Sequence, residues 1–313
     1  MKTVKFLIIL FFFAVNYFSS SAKLYADNKN SIKLEKHASQ GKIVFSSFKG
    51  ENWDLFMINP DGSGLIQLTN SQEEEKYPVI FPDGKKLAYA TNQGEIWLRE
   101  MGKESQKLGY LPENCTHPTW LPDVKKITFA AYTFKNRIEN SNIWIADLEK
   151  GSTKKLIGNG GIKRYPAWSP DGMVFIYSSG FRGEGNKVVE DLWIADASGG
   201  NSKILVSNKA SNIQPAWSPD GEWIAFASDQ VGNMDIWLID RLRKNLKQLT
   251  KHKAYDSDPC WSPDGSHLCF VSTRSGKMDI WIMDRNGENP RQLTDFKDHG
   301  DSKEPEWSKE FNH

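Results

Sequence analysis

The sequence predicts an all-β fold, a six-bladed β-propeller with four antiparallel strands per blade, and three observations carry the prediction. First, PAWSPDG at residues 166–172 returns at 215–221 and, as PCWSPDG, at 259–265. Looser copies read PVIFPDG at 78–84, PTWLPDV at 118–124 and PEWSK at 305–309, so the leading prolines stand 40, 48, 49, 44 and 46 residues apart. Second, each interval holds only strand and turn signals, and a period in the forties built of strands is the signature of propeller blades. Third, the two ends complement each other. The repeat opens on KIVFSS at 42–47 with no P-x-W strand before it, and closes on a surplus PEWS at 305–308.

One repeat, residues 215–250, shows how each strand arises. PAW is a short first strand, in which Pro215 can stand without breaking a ladder. SPDG is a tight turn: proline presets φ, and Asp and Gly supply local bonding and a positive φ. EWIAFAS is a second strand by its aromatic and β-branched content, MDIWLID a third, and KQLT a fourth. The third strand recurs at 53–58, 94–99, 141–146, 190–195, 234–239 and 278–283, which fixes six blades. The C-terminal PEW strand should fill the innermost place of the first blade and so remove an open sheet edge.

Ten of the 12 tryptophans fall at two fixed points of this repeat, so the aromatic excess is architectural. At the N-terminus two lysines precede an apolar run of about ten residues and a polar stretch ending in small residues. This is the layout of a secretory signal peptide over 1–22, cleaved after Ala22 or, less well, Ala26. The run is shorter than the ~20 residues that span a bilayer, so no stable membrane insertion is expected after cleavage. Residues 23–40 read as a flexible polar leader, 41–309 as the propeller and 310–313 as a tail. A periplasmic or secreted location follows.

Without Lys2 and Lys5 the chain carries 38 basic and 39 acidic side chains, scattered with no basic face. Nucleic acid is therefore not an expected partner. Three cysteines form no disulfide framework. Cys260 and Cys269 flank one SPDG turn and should lie opposite each other, either as a cross-strand bridge or as two buried thiols.

The succession P-x-W-S-P-D-G, I-A-F, D-I-W and Q-L-T resembles the propeller of the TolB family of periplasmic Tol–Pal components, over residues 41–309 and all six blades. Similar repeats occur in prolyl-oligopeptidase-type and oligogalacturonate lyase-like propellers. The folded α/β domain that precedes the propeller in that family has only about 18 polar residues in its place here. The resemblance implies an exported, non-catalytic protein-binding module of the cell envelope, with a peptidoglycan-associated lipoprotein as one candidate partner. The alternative is a sugar- or polysaccharide-acting enzyme or binding protein that uses the same channel mouth.

No motif argues for catalysis. Gly62-Ser63-Gly64 lies in a turn between strands rather than on a nucleophile elbow, and there is no H-E-x-x-H, phosphate loop or paired-cysteine zinc motif. No cofactor is expected. The candidate site is instead positional. The residues before each leading proline, Tyr77, His117, Tyr165, Gln214, Asp258 and Glu304, should ring one mouth of the central channel, on the face away from the SPDG turns. Arg164, Ser257 and Lys303 stand beside them. Two enlarged loops, 132–141 and 179–190, should rise from the same face and offer Phe134, Arg137, Phe181 and Arg182 as interface anchors. His252, Asp256 and Asp258 in one loop, with His299 and Asp301 in the next, match no metal-loop spacing and read as polar groups facing solvent rather than as ligands. The acidic residue ahead of most third strands (Asp54, Glu95, Asp191, Asp235, Asp279) reads as a structural bond, because it recurs.

Overall fold

A computed structural model describes residues 41–100, 102–135, 138–182 and 188–309. The signal peptide and leader expected over 1–40 lie outside the described residues, as do Arg137 and the tail at 310–313. Twenty-four strands form six antiparallel sheets of four. Five sheets take their strands in chain order: β4–β7 (residues 75–107), β8–β11 (115–157), β12–β15 (162–206), β16–β19 (212–248) and β20–β23 (256–292). The sixth joins the two ends. Its order is β24-β1-β2-β3, where β24 (His299–Ser308) pairs antiparallel with β1 (Lys42–Lys49), ahead of β2 (Asn52–Ile58) and β3 (Ile66–Gln67). The closure anticipated from the surplus PEWS is thus present, with Trp307 opposite Ile43.

Each repeated motif has a local physical role. In SPDG the serine backbone carbonyl accepts the glycine N–H at 2.8–2.9 Å, and the aspartate accepts the backbone N–H two residues on, at 3.0 Å. The tryptophan of P-x-W reaches back to the preceding blade. Trp120 Nε1 donates to the Val79 carbonyl at 3.0 Å, Trp168 to Thr128 Oγ1 at 2.9 Å and Trp261 to the Ala216 carbonyl at 3.2 Å. At these three positions burying the indole and satisfying its N–H in one contact fastens blade to blade, whereas the buried Trp217 Nε1 has no hydrogen-bond partner.

The D…Q-L-T pairing ties third strand to fourth. Thr250 Oγ1 accepts the Ile236 N–H at 2.9 Å and donates to Asp235 Oδ1 at 3.1 Å, while Gln248 donates to Asp235 Oδ2 at 3.1 Å. Asp279, Thr294 and Gln292 repeat this arrangement. The structural reading of that acidic residue holds wherever the Q-L-T is complete. The core lies between blades, with Phe45, Phe56, Phe129, Phe175, Phe226 and Phe270 fully buried.

The segments read as enlarged loops are mostly ladder. β9 (Lys126–Lys135) and β10 (Ile138–Asp147) pair out to Lys135↔Ile138, and β13 (Val174–Arg182) and β14 (Val188–Asp196) out to Arg182↔Val188. Backbone pairing continued past the point where the repeat template ends, because a hairpin already in register extends at little further entropic cost.

Candidate functional site

Six residues converge on the axis because of a shared backbone device. Tyr77, His117, Tyr165, Gln214, Asp258 and Glu304 all have positive φ, between 49° and 58°. Each also sits in a β-bulge: in the second blade Lys76 pairs with Ala90 and Val79 with Ala88, so Tyr77 and Pro78 together oppose Tyr89 alone. The same jump occurs at 164/167, 213/216, 257/260 and 116/119, and in β24 between Lys303 and Glu306. Proline fits the unpaired place because it has no N–H to lose. The left-handed residue before it turns its side chain out of the ordinary alternation and onto the channel. Non-glycine residues at positive φ are uncommon and costly, so repetition in all six blades marks an architectural feature. What varies is the side chain.

These six side chains line one cavity of about 620 Å³ together with the P-x-W strands. The lining runs from the ring through Thr119, Ala167, Ala216 and Cys260 to the prolines of the SPDG turns, and includes none of the residues before the ring. The expectation that the site opens on the face away from the turns therefore changes. The bulky ring residues fill the channel at their own level, and the small side chains one step on leave a chamber that opens among the exposed turn prolines. The β9–β10 and β13–β14 hairpins end at the opposite face, since second strands run away from the turns. Phe181, 69% exposed, stands over Gly161 there, and Phe134 and Arg182 lie on the same two hairpins.

The ring has two unlike halves. Tyr77, His117 and Tyr165, from consecutive blades, form an aromatic arc with His117 centred 4.2 Å from each tyrosine ring. His117 is 8% exposed and both its ring nitrogens lack a hydrogen-bond partner. Burial, with Arg164 nearby, holds its pKa well below the usual imidazole value, so the ring is neutral.

The other arc is polar. The Gln214 side-chain amide donates to Asp258 Oδ1, and the Asp258 N–H donates to Gln214 Oε1 at 3.2 Å. Glu304 Oε2 accepts from Ser46 Oγ at 2.8 Å and from the Tyr77 N–H at 2.7 Å, which joins the arcs. Burial, reinforced by Glu304, pushes the Asp258 carboxyl up to about 7, and burial also raises Glu304.

Three cations flank the ring without pairing with its carboxyls, and the Arg164 guanidinium lies 5.1 Å from the centre of the Tyr165 ring. Arg164 holds buried Glu190 through two hydrogen bonds, and Lys76 and Lys303 lie over the Trp53 ring, 5.0 and 4.9 Å from its centre.

Sequence reasoning missed Glu306. It occupies the middle position of P-x-W, where the other blades carry Val79, Thr119, Ala167, Ala216 and Cys260, and it lines the chamber one layer from the ring. Its deviation from an otherwise small, uncharged set was the available signal. Burial pushes its carboxyl up to about 7, and its neighbour is the Cys260 thiol at 3.8 Å. Cys260 does face Cys269 across the β20–β21 ladder as expected, and both are free thiols.

The groups weighed as metal ligands are separately occupied. Asp256 pairs with Arg274 at 2.7 Å, His299 Nδ1 meets Ser47 Oγ at 2.9 Å, Asp301 accepts the Met278 N–H at 3.0 Å, and His252 Nδ1 accepts the Ala254 N–H at 3.1 Å.

Residues 31–188 and 185–312 both match the family described as TolB beta propeller domain. The chain belongs to the TolB β-propeller family. A TolB homolog from Chlorobium chlorochromatii is 28% identical over 140 residues, which are 43% of this chain and 31% of that protein. The matched stretches thus span about a third or less of these curated relatives' own length. Among solved structures, TolB from Acinetobacter baumannii superposes with a TM-score of 0.74 at 23% identity, covering 87% of this chain and 67% of that one. An oligogalacturonate lyase in complex with manganese gives a TM-score of 0.60 at 14% identity, covering 82% of this chain and 74% of that one. Likenesses at these identities establish the TolB-type fold, not a shared activity.

Proposed function

We propose that this propeller is an exported, non-catalytic module that binds a protein or peptide partner of the cell envelope, and that the partner enters the central chamber. One observation carries the reading. Six bulged, left-handed positions repeat around the axis, yet they do not carry one repeated side chain and divide into an aromatic and a polar, largely acidic half. A purely structural ring has no need of that asymmetry, whereas aromatic groups beside a few fixed polar ones are what binding pockets present. Family membership supports a protein-binding role in the envelope, with a peptidoglycan-associated lipoprotein as one candidate partner. The apolar N-terminal run supports export, and among the described residues no helix is long and apolar enough to cross a membrane.

Affinity capture from envelope extract with the parent protein and a Tyr77/Tyr165/Asp258 triple-alanine variant, each shown to be folded by its melting curve, tests the proposal. Partners retained by the parent should be lost by the variant. Identical recovery would remove the chamber as the binding site. Cell fractionation with N-terminal sequencing of the mature chain checks export, with a start at Lys23 expected.

A further inference from the structure

The chamber's chemistry is more specific than a general protein-binding surface. Among its lining residues three carboxyl groups, Asp258, Glu304 and Glu306, face a single ammonium, that of Lys309, which is exposed at the rim. The carboxyls come from neighbouring inner strands, β20 (Asp256–Trp261) and β24, so they share one side of the channel. The aromatic arc occupies the other side. None of the nearby cations forms an ion pair with these carboxyls: Arg164 pairs with Glu190, and Lys76 and Lys303, which lie over Trp53, act on Glu304 only through space, as Lys303 does on Asp258.

His117 supplies a separate observation. It is buried, neutral and stacked between two tyrosines, and neither ring nitrogen has a partner. A buried imidazole with an unused donor and an unused acceptor is costly unless a ligand completes it.

We propose that the chamber receives a lysine or arginine side chain of a peptide partner, its cationic head held by Asp258, Glu304 and Glu306 beside the aromatic arc of Tyr77, His117 and Tyr165. The inference rests on the peptide-binding reading above and names the group that enters. A cationic head carries only donors, which suits carboxylates and the imidazole lone pair, and it is attracted to tyrosine faces. The peptide's own carbonyl groups can accept the remaining imidazole N–H, which a free amine cannot do. An anionic or purely apolar side chain would leave the carboxyls buried and uncompensated.

The test is a titration, by calorimetry and by fluorescence of the chamber tryptophans, with capped pentapeptides that carry lysine, arginine, norleucine or glutamate between glycines. The lysine and arginine peptides should bind at least about tenfold more tightly than the norleucine peptide, and the glutamate peptide should not bind. Glu306→Gln and Glu304→Gln should each weaken lysine-peptide binding by roughly tenfold while the protein stays folded by circular dichroism. His117→Phe keeps the stacked ring and should weaken binding as well.

Binding should tighten as pH rises through about 7. Asp258, which faces Glu304, Lys303, Gln214 and Ser257, and Glu306, which faces Cys260, both ionise there. The proposal is overturned if norleucine and lysine peptides bind equally, or if no cationic peptide binds up to about 10 mM. It is also overturned if folded Glu306→Gln and Glu304→Gln variants bind like the parent. Spermidine binding more tightly than the lysine peptide would overturn the assignment to a peptide. The capture experiment remains separate: loss of an envelope partner without any preference for cationic peptides would sink this inference alone.

Discussion

Truncating Trp307 measures how far the stability of the ring rests on its closing strand. The indole is 6% exposed and packs between Ile43, Phe45 and Phe56 of the first blade and Val271, Ile280 and Ile282 of the last. A buried indole removes about 200 Å² from water, worth ~5 kcal/mol at ~25 cal/mol per Å² as an upper figure. Large-to-small substitutions of buried aromatics cost ~3–5 kcal/mol, and the Trp307→Ala change is placed in that range. For a domain of this size ~1 kcal/mol moves Tm by roughly 2 °C, so a fall of about 6–10 °C is expected. Deleting the chain from His299 onward should cost more. It removes β24 from its ladder with β1, exposes β1 as an unpaired edge and favours aggregation. Thermal melts followed by circular dichroism provide the assay. Leu242→Ala, at a side chain 70% exposed, serves as a control expected to stay within about 0.5 kcal/mol. A truncated chain that melts within about 2 °C of the parent would refute closure as a source of stability.

Other perturbations probe other links. Arg164→Ala leaves Glu190, 1% exposed, as a buried charge without its partner, and should cost ~3–5 kcal/mol in urea unfolding. A loss below ~1 kcal/mol would mean that the pair contributes little. Thr250→Val strands the Ile236 N–H and one oxygen of buried Asp235, for a cost of ~1–3 kcal/mol and faster amide exchange at Ile236. Glu306→Gln should stabilise the protein, increasingly so as pH rises. The folded carboxyl titrates near 7 and the unfolded one near its ordinary 4.5. Below the unfolded value both states are protonated and nothing is lost; through the interval between them ionisation favours unfolding; above about 7 the penalty is complete. Burial lowers the pKa of His117 and His299, which works in the opposite direction, so the quantity to measure is the difference between variant and parent melts across pH. A difference that stays flat with pH would contradict the raised carboxyl.

The sequence by itself determined the ring. Six copies of the turn, the tryptophan positions and the complementary ends suffice, because each is a local device whose physics acts within a few residues or between adjacent blades. It also singled out Tyr77, His117, Tyr165, Gln214, Asp258 and Glu304, because the register before each proline repeats. Tertiary structure decided where those six residues point. Positive φ and a bulge at each X-Pro step swing them onto the axis, and no propensity argument anticipates a left-handed residue before proline in six strands at once. Only assembly of the ring shows that three aromatics from successive blades meet as one arc. The same assembly shows that Glu306 joins Asp258 and Glu304 though it stands in another blade from Asp258. It also shows that Arg164 forms its ion pair with Glu190, and that Lys76 and Lys303 lie over Trp53. The chamber opens on the turn face for a like reason: its depth depends on how small the side chains of five other strands are one step beyond the ring. A repeat specifies the geometry shared by the blades. The chemistry of the channel is a sum over their differences, and that sum exists only once the ring is closed.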